Sequence, residues 1–342
     1  MIKVLVVEDS PTAREMIETI LQTSPEIKVI AKVSNGRECI NFLNSSQVKP
    51  DLITTDIKMP VMDGFELIEH VMAFNPIPIL IVTTLQKDAN FMKALNLGAL
   101  DIIEKPRLNE WQQLPKMGIE LIEKVKLLSR VKVITHLSGK VKKLQKLNID
   151  VKSENTNNEK IICMASSTGG PNTLLDILKM LPQNFPVPII IVQHISDNLF
   201  ITGMLEWFKK SLKKKVELAR HGLILEKGVI YIAPANYHLK VDYNRLLLED
   251  SPPLNNQKPS ADIFFASAAK AYGNKCIAVI LTGSGSDGAL GIKEVSAMGG
   301  TVIAQDEESS MIFGMPKAAI ATNCVDKILN ITDIPKELVL LI

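Results

Sequence analysis

The first third of the chain alternates short apolar runs with longer stretches whose apolar residues recur at helical spacing. Lys3–Val7, Val29–Val33, Leu52–Thr55, Ile79–Val82 and Asp101–Ile103 fit buried strands, and Thr12–Gln22, Arg37–Asn44, Phe65–Phe74 and Ala89–Leu97 fit amphipathic helices. Strands alternating with helices predict an α/β domain with an open, doubly wound parallel sheet, whose site lies outside the carboxyl ends of the strands. Polar residues gather at those ends: Glu8 and Asp9 after the first strand, Asp56 after the third, Thr83 at the fourth and Lys105 after the fifth.

From Trp111 to about Leu147 the pattern is helical and increasingly basic, with Lys140, Lys142, Lys143 and Lys146 close together. Asn148–Lys160 is polar, lacks apolar periodicity and reads as a flexible tether. Alternation then resumes. Ile161–Met164, Val187–Val192, Val229–Ile232, Cys276–Leu281 and Thr301–Ala304 fit strands; Asn172–Met180, a segment capped by Ser260, and the stretch from Ala289 onward fit helices. The expected organisation is therefore a first domain over 1–120, a linker over 121–158 and a second parallel α/β domain over 159–342.

Composition narrows the class. A chain of 342 residues has room for two cores, and 39 basic against 37 acidic residues leave a net charge of +2, which makes no electrostatic case for nucleic acid. Cys39, Cys163, Cys276 and Cys324 form no CxxC pair, as expected of a reduced, cytoplasmic protein without a zinc ribbon. No apolar run reaches the ~18 residues of a membrane span, so no membrane insertion is expected.

Three carboxylates at one sheet edge repel one another unless a cation sits among them, and hard oxygen ligands suit Mg²⁺. A lysine and a hydroxyl beside them can hold the oxygens of a phosphoryl group carried on a carboxylate. The motifs VLVVEDS, TTDIKMPVMDG around Asp56, the hydroxyl of Thr83, and EKP with Lys105 make residues 1 to about 120 resemble a response-regulator receiver domain. That resemblance implies a flavodoxin-like fold and Asp56 as acceptor of a phosphoryl group from a histidine kinase. It also implies Mg²⁺ held by Glu8, Asp9, Asp56 and the carbonyl of Lys58, with Thr83 and Lys105 touching the phosphoryl group. One position departs from the pattern: Ile102 stands where many receivers carry an aromatic switch residue.

In the second domain, CMASSTGGPNTLL reads as strand, tight turn and helix, and offers Ser166, Ser167 and Thr168 as candidate nucleophiles or as a mere helix cap. PVPIIIVQHIS delivers His194 to a strand end, and LTGSGSDGALGI delivers Asp287 to another. A serine needs a base, and an imidazole needs a carboxylate to fix its tautomer; Ser167, His194 and Asp287 supply each role once. A rival reading exists, because Gly283, Gly285 and Gly288 spell G-x-G-x-x-G between strand and helix, with Asp306 about 20 residues later, as in a dinucleotide-binding oxidoreductase. Against it, the motif arrives late in its domain and carries Asp287 inside the loop.

SSTGGP, VQHIS, YIAPANYHL, PSADIFFAS, LTGSGSDGALG and IFGMPKAA together make residues 159–342 resemble the catalytic domain of the chemotaxis protein-glutamate methylesterases, a Rossmann-like fold. The resemblance implies a Ser167–His194–Asp287 triad with no cofactor for the ester chemistry, and a turn shaped by Ser166, Thr168 and Gly169. It places part of the oxyanion hole at the backbone N–H of Ser284. Two departures stand out: Ala165-Ser166 replaces the common glycine-alanine, and Ser284 replaces a frequent methionine. The expected function is a phosphorylation-activated hydrolase that demethylates glutamate γ-methyl esters, and deamidates glutamines, on methyl-accepting chemoreceptors. The alternatives are a related receiver-controlled esterase outside chemotaxis, the oxidoreductase above, and a binding module without catalysis.

Overall fold

The computed structural model describes residues 1–84, 91–105, 114–131, 133, 160–195 and 198–342. The chain forms two compact units, Met1–Lys143 and Leu144–Ile342.

In the first unit the elements run β1 (Ile2–Val7), α1 (Pro11–Gln22), β2 (Ile27–Val33), α2 (Gly36–Ser45), β3 (Leu52–Thr55), α3 (Gly64–Phe74), β4 (Ile79–Thr83), α4 (Phe91–Asn96), β5 (Asp101–Glu104) and α5 (Leu114–Leu128). All sheet pairings are parallel, in the order β2-β1-β3-β4-β5. This is the flavodoxin-like order, in which the chain reverses direction across the sheet between β1 and β3. Each strand predicted from the apolar runs is present, extended by one or two residues at one end or both except for β3, which has the predicted bounds. Polar side chains set where several helices begin. Ser10, Asn35 and Asp63 cap α1, α2 and α3, and Asp63 with Glu66 completes a capping box. The last helix extends beyond residue 120, with Leu121, Val125 and Leu128 buried. The basic stretch around Lys140 to Lys146 and the tether over 148–159 lie outside the described residues.

The second unit opens with β6 (Ile161–Ser166), α6 (Gly170–Met180), β7 (Ile189–Gln193), α7 (Asn198–Ser211), β8 (Val216–Leu218), β9 (Leu223–Ile224), β10 (Ile230–Ile232), β11 (His238–Asp242) and β12 (Arg245–Glu249). It continues with α8 (Ala261–Tyr272), β13 (Cys276–Ile280), α9 (Gly291–Ala297), β14 (Thr301–Gln305), α10 (Met315–Ile320), β15 (Lys327–Leu329) and α11 (Ile334–Leu340). A seven-stranded parallel sheet runs β15-β14-β13-β6-β7-β10-β8. Every residue of β6, β7 and β13 is buried, which explains why they read as unbroken apolar runs rather than alternating ones.

The chain leaves β6 toward β7 and returns on its other side as β13, so the topological switch point falls between β6 and β13. Open parallel sheets place their crevice at that point. The apolar runs did not announce a separate antiparallel sheet, β11-β12-β9, which α8 packs against through β11. Its strands are two to five residues long, too short for a period to emerge.

Candidate functional site

In the first unit, the predicted cluster comes together at the carboxyl end of the sheet. Lys105 Nζ donates to Asp56 Oδ2 (2.6 Å) and Glu8 Oε1 (3.0 Å), while Thr83 Oγ1 donates to Asp56 Oδ1 (2.7 Å). Glu8, Asp56, Thr83 and Lys105 are all buried. Burial pushes the Glu8 carboxyl up from its usual value despite the Lys105 contact. For Lys105, burial pulls the ammonium down, but the bonds and charges of Asp56 and Glu8 outweigh it and hold the group above its usual value. The loop that carries Asp56 turns tightly enough that a Cβ at Gly64 would stand 2.3 Å from the Asp56 carbonyl oxygen, so only glycine fits there. Arg14 donates to the Glu8 carbonyl and fixes the backbone of the acidic pair.

Glu8, Asp9 and Asp56 each offer an oxygen within 4.8 Å of the other two. Glu8 Oε2 is buried without a hydrogen bond, although the Lys105 ammonium approaches it to 2.7 Å. An under-coordinated buried oxygen inside an all-carboxylate set fits a hard divalent cation. Lys58 follows Asp56 by two residues in the same loop. Ile102 is buried within β5.

In the second unit, Ser167 follows β6, His194 follows β7 and Asp287 lies in the turn after β13, which are three adjacent strands. Backbone bonds draw these ends together: Ser167 N donates to Thr282 O (3.0 Å) and His194 N to Ser166 O (2.9 Å). His194 Nε2 donates to Asp287 Oδ2 at 2.8 Å. An ionised carboxylate only accepts, so this bond puts the ring proton on Nε2 and leaves the Nδ1 lone pair free. Nδ1 is buried and has no hydrogen-bond partner, the state expected of a base awaiting a proton.

Asp287 is firmly held. Oδ2 also accepts from Ala261 N (2.6 Å), and Oδ1 accepts from Ser260 Oγ (2.9 Å) and Asp262 N (3.1 Å). Burial pushes its carboxyl up, but the His194 bond and charge and the two backbone N–H groups outweigh that and hold it below its usual value. Ser260 is itself oriented from behind, since its N–H donates to Nδ1 of the fully buried His238, whose Nε2 donates to Pro252 O (3.0 Å).

The three hydroxyls of the turn now separate. Ser166 is fully buried and its Oγ donates to Gln193 Oε1 (2.6 Å); Thr168 is buried; Ser167 alone is partly exposed. Gly169 sits at φ 79 and ends the turn before α6. The glycine-rich turn after β13 presses against this one. A Cβ on Gly283 would lie 2.8 Å from Ser167 Cβ, which requires glycine there and puts the exposed Ser284 beside the turn that carries Ser167.

That packing removes the dinucleotide reading. Gly283 serves the approach of two turns, Asp287 faces His194, and Asp306 caps its own loop through Ser309 N (2.9 Å) and Ser309 Oγ (2.5 Å). Sequence reasoning missed Thr282 and Gln305. Thr282 Oγ1 donates to Thr168 O (3.0 Å), and Thr282 N donates to Gln305 Oε1 (2.8 Å), stitching the turns after β6, β13 and β14. The hydroxyl and acid of PSAD, just ahead of and inside a helix start, were the available signal for Ser260 and Asp262.

Comparison with known proteins agrees with this geometry. The family profile described as CheB methylesterase matches residues 162–338, and that of the response regulator receiver domain matches residues 4–117. A protein-glutamate methylesterase/protein-glutamine glutaminase of Anaeromyxobacter dehalogenans is 37% identical, over 98% of this chain and 96% of the relative. One from Methanococcoides burtonii is 36% identical, over 100% of this chain and 98% of the relative. The crystal structure of the Thermotoga maritima CheB methylesterase catalytic domain superposes with a TM-score of 0.52 at 39% identity, covering 54% of this chain and 98% of that one. The chain therefore belongs to the CheB methylesterase family, with a response-regulator receiver domain ahead of the methylesterase domain.

Proposed function

We propose that Ser167, His194 and Asp287 are the catalytic triad of a protein-glutamate methylesterase acting on methyl-accepting chemoreceptors. The observation that carries this is the His194 Nε2 to Asp287 Oδ2 bond of 2.8 Å, which frees a buried Nδ1 at the strand end next to Ser167. As the Ser167 Oγ bond to the γ-carbonyl carbon forms, Nδ1 takes the hydroxyl proton. It returns that proton to the methoxy group as the ester bond breaks and methanol leaves. Water, deprotonated by the same nitrogen, then attacks the acyl-serine carbonyl; the bond to Ser167 Oγ breaks, the proton passes from Nδ1 to Oγ, and free glutamate leaves. With a glutamine substrate the leaving group is ammonia, which gives the deamidase activity in the relatives' names. The oxyanion is held by backbone donors of the Thr168–Gly169 turn and of Ser284; losing one such donor costs on the order of 100-fold in rate.

The first unit controls this chemistry. A chemotaxis histidine kinase supplies the phosphoryl group, Asp56 accepts it, and Thr83 and Lys105 hold its oxygens. Glu8, Asp9, Asp56 and the Lys58 carbonyl would hold Mg²⁺, which neutralises phosphoryl charge when bound. The unphosphorylated receiver restrains the esterase, and phosphorylation relieves the restraint. The working boundaries are a receiver over 1–120, a linker over 121–158 and a catalytic domain over 159–342, in a cytoplasmic protein.

The test is methanol release from methylated chemoreceptor membranes, with and without a small-molecule phosphodonor. Release that rises with phosphodonor is expected. No release under either condition would overturn the substrate assignment.

A further inference from the structure

Asp262 takes no part in the triad, yet its carboxyl lies against it. The residue sits in the first turn of α8 and is 5% exposed. Its Oδ1 accepts from Leu290 N and Gly291 N, both at 2.8 Å, where α9 begins. Its Oδ2 is buried and receives no donor, and its own backbone N–H donates to Asp287 Oδ1 at 3.1 Å, which brings the two acids to one spot.

A carboxylate oxygen buried without a donor, beside a second buried carboxylate, carries both a desolvation penalty and a like-charge penalty. One of the two acids must give up its charge, and the donors decide which. Asp287 receives four: His194 Nε2, Ser260 Oγ, and the N–H groups of Ala261 and Asp262. Asp262 receives two, both on the same oxygen. The other titratable groups of this region do not change the balance. His194, at the end of β7, spends its Nε2 proton on Asp287, and His238 on β11 accepts from Ser260 N, so its Nδ1 carries no proton. Among the described residues no lysine or arginine pairs with either acid. Burial pushes the Asp262 carboxyl up, and the Asp287 charge adds to it, against the pull of the Gly291 and Leu290 N–H groups.

We propose that Asp262 is a positioning residue held as a neutral carboxylic acid, whose Oδ2–H donates to Asp287 and keeps that carboxylate ionised and aimed at His194. The role rests on the Ser167–His194–Asp287 reading, but the protonation state can be read without it. A proton on Oδ2 removes both penalties and gives Asp287 a fifth donor. The arrangement follows the rule for two crowded acids, in which a shared proton leaves a single charge.

Infrared difference spectra of the full-length chain at neutral pH, wild type against Asp262→Asn, should show one protonated-carboxyl band lost in the variant. The band should persist in Ser167→Ala and shift in Asp287→Asn, where its acceptor has changed. No lost band overturns the proposal, whatever the activity. Asparagine keeps an acceptor for the α9 N–H groups and an N–H for Asp287, so the comparison does not depend on a variant with a missing side chain. With p-nitrophenyl acetate as probe, Asp262→Asn should keep kcat within about threefold of wild type, and Asp262→Ala should lose on the order of tenfold or more, as outer-shell partners typically do. Equal losses in the two variants would overturn the positioning role. Full turnover by Ser167→Ala would instead overturn the triad and leave the infrared result standing.

Discussion

Both units gather polar groups at the carboxyl edge of a parallel sheet, but they treat charge in opposite ways. In the receiver, Glu8, Asp9 and Asp56 are crowded together, with a buried Glu8 oxygen lacking a hydrogen bond and a single lysine holding two of the acids. Such a site is under-neutralised, which suits a place that must admit a cation and a phosphoryl group. In the esterase domain Asp287 accepts from four donors, and the imidazole Nδ1 of His194, which it faces, is buried without a partner. The first site is built to receive a ligand and the second to receive a proton.

The largest effects should come from breaking the second arrangement. Ser167→Ala removes the nucleophile, and methanol release should fall by on the order of 10⁴-fold or more, to what the oxyanion donors alone provide. Asp287→Asn should cost about 10⁴-fold in kcat, because an amide no longer fixes the proton on Nε2, and Nδ1 ceases to be the free nitrogen. The same carboxyl adds a pH dependence. Its folded value lies below the usual 3.8, so its stabilising contribution is complete above that pH and is lost as pH falls through the lower folded value. Acid unfolding of Asp287→Asn should lack that component, as followed by circular dichroism. An unchanged kcat in either variant would remove the proton-accepting half of the comparison.

The sequence revealed these two sites unequally. The receiver was legible because its polar residues gather at strand ends, and five apolar runs of three to five residues marked the strands to within two residues. The placement of Ser167, His194 and Asp287 at three strand ends was legible in the same way. What holds Asp287 was not. Ser260 read only as a helix cap, because nothing local joins it to His238 and Asp287, each more than 20 positions away, which it meets only once α8 packs against β11. The helix expected from Ala289 begins at Gly291, since the groups that receive its first N–H donors lie on Asp262, in another element. The glycines of LTGSGSDG suggested a phosphate loop because tight turns draw on the same residue whatever they enclose.

The coupling between the two sites is the next test. Asp56→Asn should leave the unphosphorylated rate unchanged and abolish stimulation by a small-molecule phosphodonor. A coupling of ordinary strength, roughly 5-fold to 150-fold, is the gain that would disappear. Residues 159–342 expressed alone should exceed the unphosphorylated full chain in methanol release. Equal rates for fragment and full chain would mean that the receiver's ligand-ready site does not restrain the proton-ready one.

The smallest expected effect is at Ser166. It precedes Ser167, and its hydroxyl meets Gln193 Oε1 at 2.6 Å while Gln193 Nε2 donates to the Ser167 carbonyl at 2.8 Å. Ser166→Ala leaves the buried Gln193 oxygen without that donor, which costs about 1–3 kcal/mol. The loss should appear as a lower melting temperature. Because the nucleophile, the base and Asp287 are untouched, kcat should change less than about tenfold, far below the Ser167 and Asp287 variants. A loss of kcat as large as that of Ser167→Ala would mean that the chemistry runs through the buried hydroxyl, and the assignment of the nucleophile would move by one residue.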